Sequence, residues 1–196
     1  MDVRTGEVLV LASHPGFDLD LFKPPMSAAT YDALRNSPDT PLLHRAIAGQ
    51  FPMGSVFKVV TGAAALEKGV VTPEDLLPCN GQYDPEHFPN HFACWIKARG
   101  GAHGDLAIRD AMARSCNCYF FEAGKRAGID EIARLADLFG LGRKSGIDLP
   151  GEEGGLMPTP AWRRARGGGR WGTAHTLNVS IGQGEILATP LQATRL

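Results

Sequence analysis

From Ser55 to Gly69 the chain reads Ser-Val-Phe-Lys-Val-Val-Thr-Gly-Ala-Ala-Ala-Leu-Glu-Lys-Gly, a helical stretch that is apolar nearly all round. A helix without a polar face has to be wrapped by other elements, so the rest of the chain must build a core around it. Phe51-Pro52-Met53-Gly54 is a turn signal directly before it, and Gly69 supplies the left-handed position that stops it. With 196 residues, 43% of them hydrophobic, there is enough chain for one sizeable core and about one domain.

The remaining pattern predicts an α+β order. Glu7–Ala12 is a short apolar run between Thr5-Gly6 and His14-Pro15-Gly16, which reads as a buried strand. A helix is expected near Ala28–Leu34, and others over Leu106–Arg114, Tyr119–Arg126 and Asp130–Phe139, the last closed by Gly140. Residues 72–104 and 142–175 read as loops. Leu177–Ile181 alternates as a strand does, and Thr189-Pro190-Leu191-Gln192 opens a helix with a capping box. The chain begins inside a predicted strand and stops about one turn into a predicted helix. It therefore reads as a single partial domain over 1–196, cut at both ends.

A formal net charge of −1 gives no electrostatic case for a nucleic-acid or membrane-surface partner. No apolar run reaches the ~18 residues that a membrane span needs. Arg163, Arg164, Arg166 and Arg170 surround Gly167-Gly168-Gly169 and read as a solvated loop without an assigned function.

Ser55 opens the apolar helix and Lys58 follows three residues later, on the same side of it. A serine hydroxyl attacks only when a base takes its proton. Burial lowers a lysine pKa towards the neutral form that such a base requires, and Val56, Phe57, Val59 and Val60 supply apolar flanks. Alone, Ser-x-x-Lys is a common accident. Here it follows a Pro-x-Gly turn, and Ser115-Cys116-Asn117 falls between two predicted helices about 60 residues on. Its serine can relay a proton, and its amide can hold a substrate carbonyl.

Ser55-Val56-Phe57-Lys58 with Ser115-Cys116-Asn117 resembles the Ser-x-x-Lys and Ser-x-Asn pair of penicillin-binding proteins and serine β-lactamases. Thr5-Gly6-Glu7-Val8-Leu9, Ser13-His14-Pro15-Gly16-Phe17-Asp18, Arg45-Ala46-Ile47, Gly146–Glu152, Ser180-Ile181-Gly182-Gln183-Gly184 and Thr189–Gln192 resemble, in order, blocks of the class B penicillin-binding transpeptidases. The resemblance covers essentially the whole chain and is strongest to the elongation-specific penicillin-binding protein 2 branch.

It implies the helix-rich part of the transpeptidase fold, with an incomplete antiparallel sheet. It implies a peptidoglycan D,D-transpeptidase in which Ser55 is acylated by D-Ala-D-Ala stem peptides or by β-lactams. Lys58 is then the base, Ser115 the proton shuttle and Asn117 the binder of the peptide amide. Implied too are a membrane glycosyltransferase partner and a periplasmic setting. The family's third motif, Lys-Thr-Gly or Lys-Ser-Gly on a strand, does not follow Gln192, so this stretch alone is expected to lack a complete active site. A serine β-lactamase or sensor, and a catalytically silent scaffold, are the alternative readings.

Cys79, Cys94, His103 and Cys116 make up the donor set of a closed tetrahedral zinc site. Such a site would order a long loop that has little core of its own. Disulfides and free thiols are the competing readings. The resemblance adds that some penicillin-binding protein 2 sequences bind zinc here. Cys118 reads as a small buried apolar group, and His87 and His91 stand as substitutes should His103 fail. No organic cofactor is implied.

Overall fold

The computed structural model describes residues 1–89 and 91–196. Its elements in chain order are α1 (Ala28–Arg35), α2 (Arg45–Ala48), α3 (Lys58–Glu67), β1 (Leu77–Cys79), β2 (Gly104–Leu106), α4 (Ile108–Ala113), α5 (Asn117–Ala127), α6 (Ile129–Leu138), α7 (Pro160–Ala165), α8 (Thr173–Ser180) and α9 (Pro190–Arg195). β1 and β2 form an antiparallel pair with Leu77 opposite Leu106 and Cys79 opposite Gly104. The α+β reading holds, with helices dominant.

α3 is the centre of the core, packed against α4, α5 and α6, as its apolar circumference demands. Phe57, Val60, Ala64 and Ala65 are buried on it, and so is Lys58. α5 buries Tyr119, Phe120 and Phe121 and packs on α8 as well as α3. The α5–α8 approach is close because Gly124 has no side chain: a β-carbon there would overlap the Ser180 hydroxyl. Thr61 Oγ1 on α3 donates to the Ser180 carbonyl at 2.8 Å, so α3, α5 and α8 meet at one point.

Several predicted elements hold, and their caps explain them. Thr189 Oγ1 accepts from the Gln192 amide at 3.2 Å, while Gln192 Oε1 accepts from the Thr189 amide at 2.9 Å. Gln192 is fully buried, and its Nε2 donates to the carbonyls of Arg143 and Gly154, both at 2.8 Å. α9 is thereby tied to the loop after α6. α6 ends at Gly140 as predicted, with that glycine at φ +81°.

Other expectations fail. Glu7–Ala12 is not a strand: among the described residues no strand lies beside it, and Leu9 and Val10 are 66% and 77% exposed. A strand exists only where a neighbour takes up its backbone hydrogen bonds, which the run's own pattern cannot supply. Leu177–Ile181 belongs largely to helix α8, whose Thr176, Leu177, Val179 and Ser180 are all buried. Five alternating residues fit a helix buried on most sides equally well. α7 interrupts the loop predicted over 142–175. Thr159 caps it, accepting from the Trp162 amide at 3.1 Å, with Pro160 at the first helical position. Residues 72–104 contain β1 and a 3-10 turn at Trp95–Arg99, and Leu106 ends β2 rather than starting a helix.

No helix among the described residues is long and apolar enough to cross a membrane.

Candidate active site

Gly54–Phe57 is a single 3-10 turn that runs straight into α3, so Ser55 sits one turn before the buried Lys58. Opposite them, the α4–α5 junction carries Ser115, Cys116 and Asn117. Lys58 Nζ donates three hydrogen bonds into that junction: to the Ser115 carbonyl at 2.8 Å, to Ser115 Oγ at 3.0 Å and to Asn117 Oδ1 at 2.7 Å. Ser115 Oγ in turn donates to Ser55 Oγ at 2.9 Å. The sequence placed Lys58 directly on Ser55. In the structure Ser115 stands between them.

This geometry is chemically two-faced. With Lys58 charged, Ser115 accepts from it and donates to Ser55. With Lys58 neutral, the chain can reverse, so that Ser55 donates to Ser115 and Ser115 to the amine lone pair. Burial lowers the Lys58 ammonium to about 8, while the nearby Cys94 and Cys116 sulfurs pull it the other way. The neutral amine is therefore within reach near pH 7. Phe120 closes the slot, with its ring centroid 5.7 Å from Nζ.

Two local features hold the site in place. Ser115 is at φ +50°, a left-handed conformation that a non-glycine residue adopts at a cost of about 1–2 kcal/mol. That bend lets its carbonyl and its hydroxyl both face Lys58. Gly54, at φ +55°, donates its amide to the Gly182 carbonyl at 2.9 Å. Gly182 is itself at φ +69°, and a β-carbon there would run into the backbone of Gly54, 2.7 Å from its nitrogen. The sequence showed a Ser-Ile-Gly-Gln-Gly block but gave no sign that its first glycine supports the Ser55 turn.

A substitution tests that support. Gly182→Ala is expected to lower stability on the order of 2 kcal/mol, from backbone strain and the clash together. Gly146 has the same left-handed backbone, φ +82°, but open space around it. Gly146→Ala therefore shows strain alone. Equal losses of melting temperature in the two variants would remove Gly182 as a support for the Ser55 turn.

Asn117 Oδ1 accepts from Lys58, and its Nδ2 donates to the Ala93 carbonyl at 3.1 Å. One Nδ2 proton and one Oδ1 lone pair are left over for another group. The Lys144-Ser145-Gly146 triplet is in a loop, not on a strand. There the Ser145 and Gly146 amides bind the buried Glu152 carboxylate at 2.6 and 3.1 Å.

Cys94 follows Ala93 and Cys116 lies inside the Ser-x-Asn turn, so a sulfur cluster sits directly behind the site. The ligand atoms of Cys79, Cys94, His103 and Cys116 all lie within 4.8 Å of one another. His103 Nδ1 is 3.6 Å from both the Cys79 and Cys94 sulfurs, and the Cys94 and Cys116 sulfurs are 4.0 Å apart. A tetrahedral zinc with ordinary bond lengths separates nitrogen from sulfur by about 3.6 Å and two sulfurs by about 3.8 Å. The donor set fits such an ion.

No disulfide joins the four cysteines, and Cys79 and Cys94 both face His103 within the four-donor cluster. Contacts from Cys116 and Cys118 favour Cys94 as thiolate, while contact with Cys94 and burial push the other two up. Cys118 is buried, as predicted. His87 is engaged elsewhere, 2.7 Å from Asp84, and neither it nor His91 joins the cluster.

The model of the penicillin binding protein transpeptidase domain matches residues 1–196. The chain belongs to this family. The peptidoglycan D,D-transpeptidase MrdA of Acinetobacter baumannii is 36% identical to it over 192 residues, covering 98% of this chain. The chain spans only 28% of that relative's length. A crystal structure of Pseudomonas aeruginosa PBP2 in complex with WCK 5153 superposes with a TM-score of 0.89 at 34% identity, over 98% of this chain and 43% of the other. A structure describing coordination of polymerization and crosslinking by a peptidoglycan synthase complex superposes at 0.78 with 38% identity, over 96% of this chain and 32% of the other. The transpeptidase fold expected from the motifs is thus the one observed.

Proposed function

We propose that this penicillin-binding transpeptidase domain belongs to a peptidoglycan D,D-transpeptidase with Ser55 as nucleophile. The observation that carries the reading is the hydrogen-bonded line Lys58–Ser115–Ser55, at 3.0 and 2.9 Å, ending on a buried lysine whose pKa is lowered to about 8. Ser55 Oγ attacks the carbonyl between the two D-alanines of a stem peptide while its proton passes to Lys58 through Ser115. The C–N bond then breaks, Ser115 returns the proton to the leaving amine, and free D-alanine departs. An amine from a neighbouring strand attacks the acyl-serine and restores Ser55. Asn117 offers its remaining amide proton and lone pair to the peptide backbone. A β-lactam carbonyl enters the same first step.

Zinc is part of the same reading. Cys79, Cys94, His103 and Cys116 would hold one ion in a closed set with no position for a catalytic water. The metal would fix the loop between β1 and β2 and brace the Ser115–Asn117 turn from behind. No step of the reaction passes through it.

The likeness to a synthase complex that coordinates polymerization and crosslinking supports a membrane glycosyltransferase as partner, and the proposed setting is the periplasmic face of the membrane.

The test is to treat the full-length parent with penicillin and map the adduct by mass spectrometry. The adduct is expected on the peptide containing Ser55 and is expected to vanish in Ser55→Ala. Persistence of labelling in that variant would overturn the assignment. Turnover of a chromogenic cephalosporin, rather than stable acylation, would favour a β-lactamase.

A further inference from the structure

A zinc ion would take three sulfurs and one imidazole, yet four sulfurs meet behind the active site. Cys118 is in contact with the sulfurs of both Cys79 and Cys94. All four cysteines are free and buried. The Cys94 and Cys116 sulfurs are 4.0 Å apart, and a disulfide bond is about 2.05 Å long. A closure of about 2 Å would join them.

These two cysteines stand where such a shift matters. Cys116 is the residue between Ser115 and Asn117, whose side chains both accept from Lys58 Nζ. Cys94 follows Ala93, whose carbonyl takes the Asn117 amide at 3.1 Å. Their backbones are tethered as well: the Cys94 amide donates to the Gly81 carbonyl and the Cys116 amide to the Ala111 carbonyl, both at 2.9 Å. A bond between the sulfurs therefore pulls the loop that carries Cys94 against the α4–α5 junction and displaces Ser115 and Asn117 from Lys58.

Bond and metal exclude one another. Joined to each other, Cys94 and Cys116 have no thiolate to offer, and Cys79 and His103 are what remains of the four-donor set. In the other direction, Cys94 and Cys116 are 1% and 0% exposed, so an oxidant reaches them only when the loop between β1 and β2 opens. A closed metal site holds that loop shut.

We propose that Cys94 and Cys116 form a reversible disulfide when the metal is lost, and that this bond disarms Ser55. With a peroxide as oxidant, Cys94 Sγ attacks one oxygen, the O–O bond breaks, and the sulfur becomes a sulfenic acid as water leaves. Cys116 Sγ then attacks that sulfur, the S–O bond breaks and a second water leaves. Two thiols are oxidised to one disulfide, one peroxide is reduced to two waters, and the thiol protons end in those waters.

The proposal rests on the zinc and Ser55 readings, and the test keeps the three apart. For the full-length parent as isolated, zinc content by elemental analysis and the penicillin adduct on Ser55 are recorded first, so failure of either reading shows before any oxidant is added. Excess hydrogen peroxide is then added, and zinc release, disulfide-linked peptides and penicillin acylation are followed together. One zinc is expected to leave for each Cys94–Cys116 bond formed. A tenfold rise in free zinc is expected to slow both about tenfold, since oxidation then starts only from the scarce metal-free state. Acylation is expected to fall about a hundredfold as the bond forms, the scale for moving a catalytic group by an ångström or more. Dithiothreitol followed by zinc should restore it, which separates the bond from sulfonic acids that no thiol repairs. Cys118→Ala is expected to behave as the parent. A bond from Cys94 to Cys79 or Cys118 instead would overturn the proposal. So would acylation at the parental rate with the Cys94–Cys116 bond in place, or oxidation at a rate indifferent to zinc.

Discussion

Lys58→Arg is expected to slow acylation of Ser55 by penicillin by about two to four orders of magnitude, the usual contribution of a positioned base. Arginine keeps the charge but has no accessible neutral form, so the line through Ser115 can deliver a proton to Ser55 but cannot accept one. The pH profile separates this from simple damage. In the parental protein, acylation should climb as pH rises through about 8, where Lys58 loses its proton. In the arginine variant that limb should be flat. Stability will fall too, because Lys58 is 1% exposed and a longer, forked side chain must enter its slot. A loss of about 1–3 kcal/mol is in keeping with a disturbed buried hydrogen-bond set, so rates must be taken per folded molecule. Near-parental acylation with an intact pH limb would remove Lys58 as the base.

The second large effect concerns Cys79. It makes no hydrogen bond to Ser55, Lys58, Ser115 or Asn117, yet its sulfur lies 3.6 Å from His103 in the four-donor cluster. Cys79→Ser is expected to take bound zinc from one ion per chain towards none, measured by elemental analysis. It should also lower the unfolding temperature sharply, since a structural zinc contributes its binding free energy directly to folding. Acylation should slow as well. Cys116 is the residue between Ser115 and Asn117, and Cys94 is next to the carbonyl that holds the Asn117 amide, so slack in the cluster passes into both. A parental protein free of zinc, or a Cys79→Ser variant with unchanged melting, would end the metal reading.

Much of this was legible in the sequence because it rests on local chemistry. The Thr-Pro-Leu-Gln capping box, the glycine stop after α6 and the same-side spacing of Ser55 and Lys58 need only neighbours within a turn. Thr159-Pro160 carries the same start signal as Thr189-Pro190, but the arginines and glycines around it mask the signal as loop. What could not be read depends on distant partners. Glu7–Ala12 has the composition of a strand, but pairing is a property of two segments. The placement of Ser115 between Lys58 and Ser55 follows from a left-handed backbone at a serine, which no residue type announces. The Gly54–Gly182 contact joins positions far apart in the chain. The cysteine and histidine donors were identifiable by type, but their convergence was not, since their spacing is open and irregular.

The bend at Ser115 has a consequence for engineering. Glycine at this position would adopt φ +50° without the penalty, whereas alanine would keep the penalty and, like glycine, lack the hydroxyl. Ser115→Gly should therefore melt at a higher temperature than Ser115→Ala, with a gap on the order of 1 kcal/mol, while both acylate poorly. The serine's strained backbone and its two hydroxyl hydrogen bonds, to the buried Lys58 and to Ser55, therefore pull in opposite directions, and glycine relieves the first only by giving up the second.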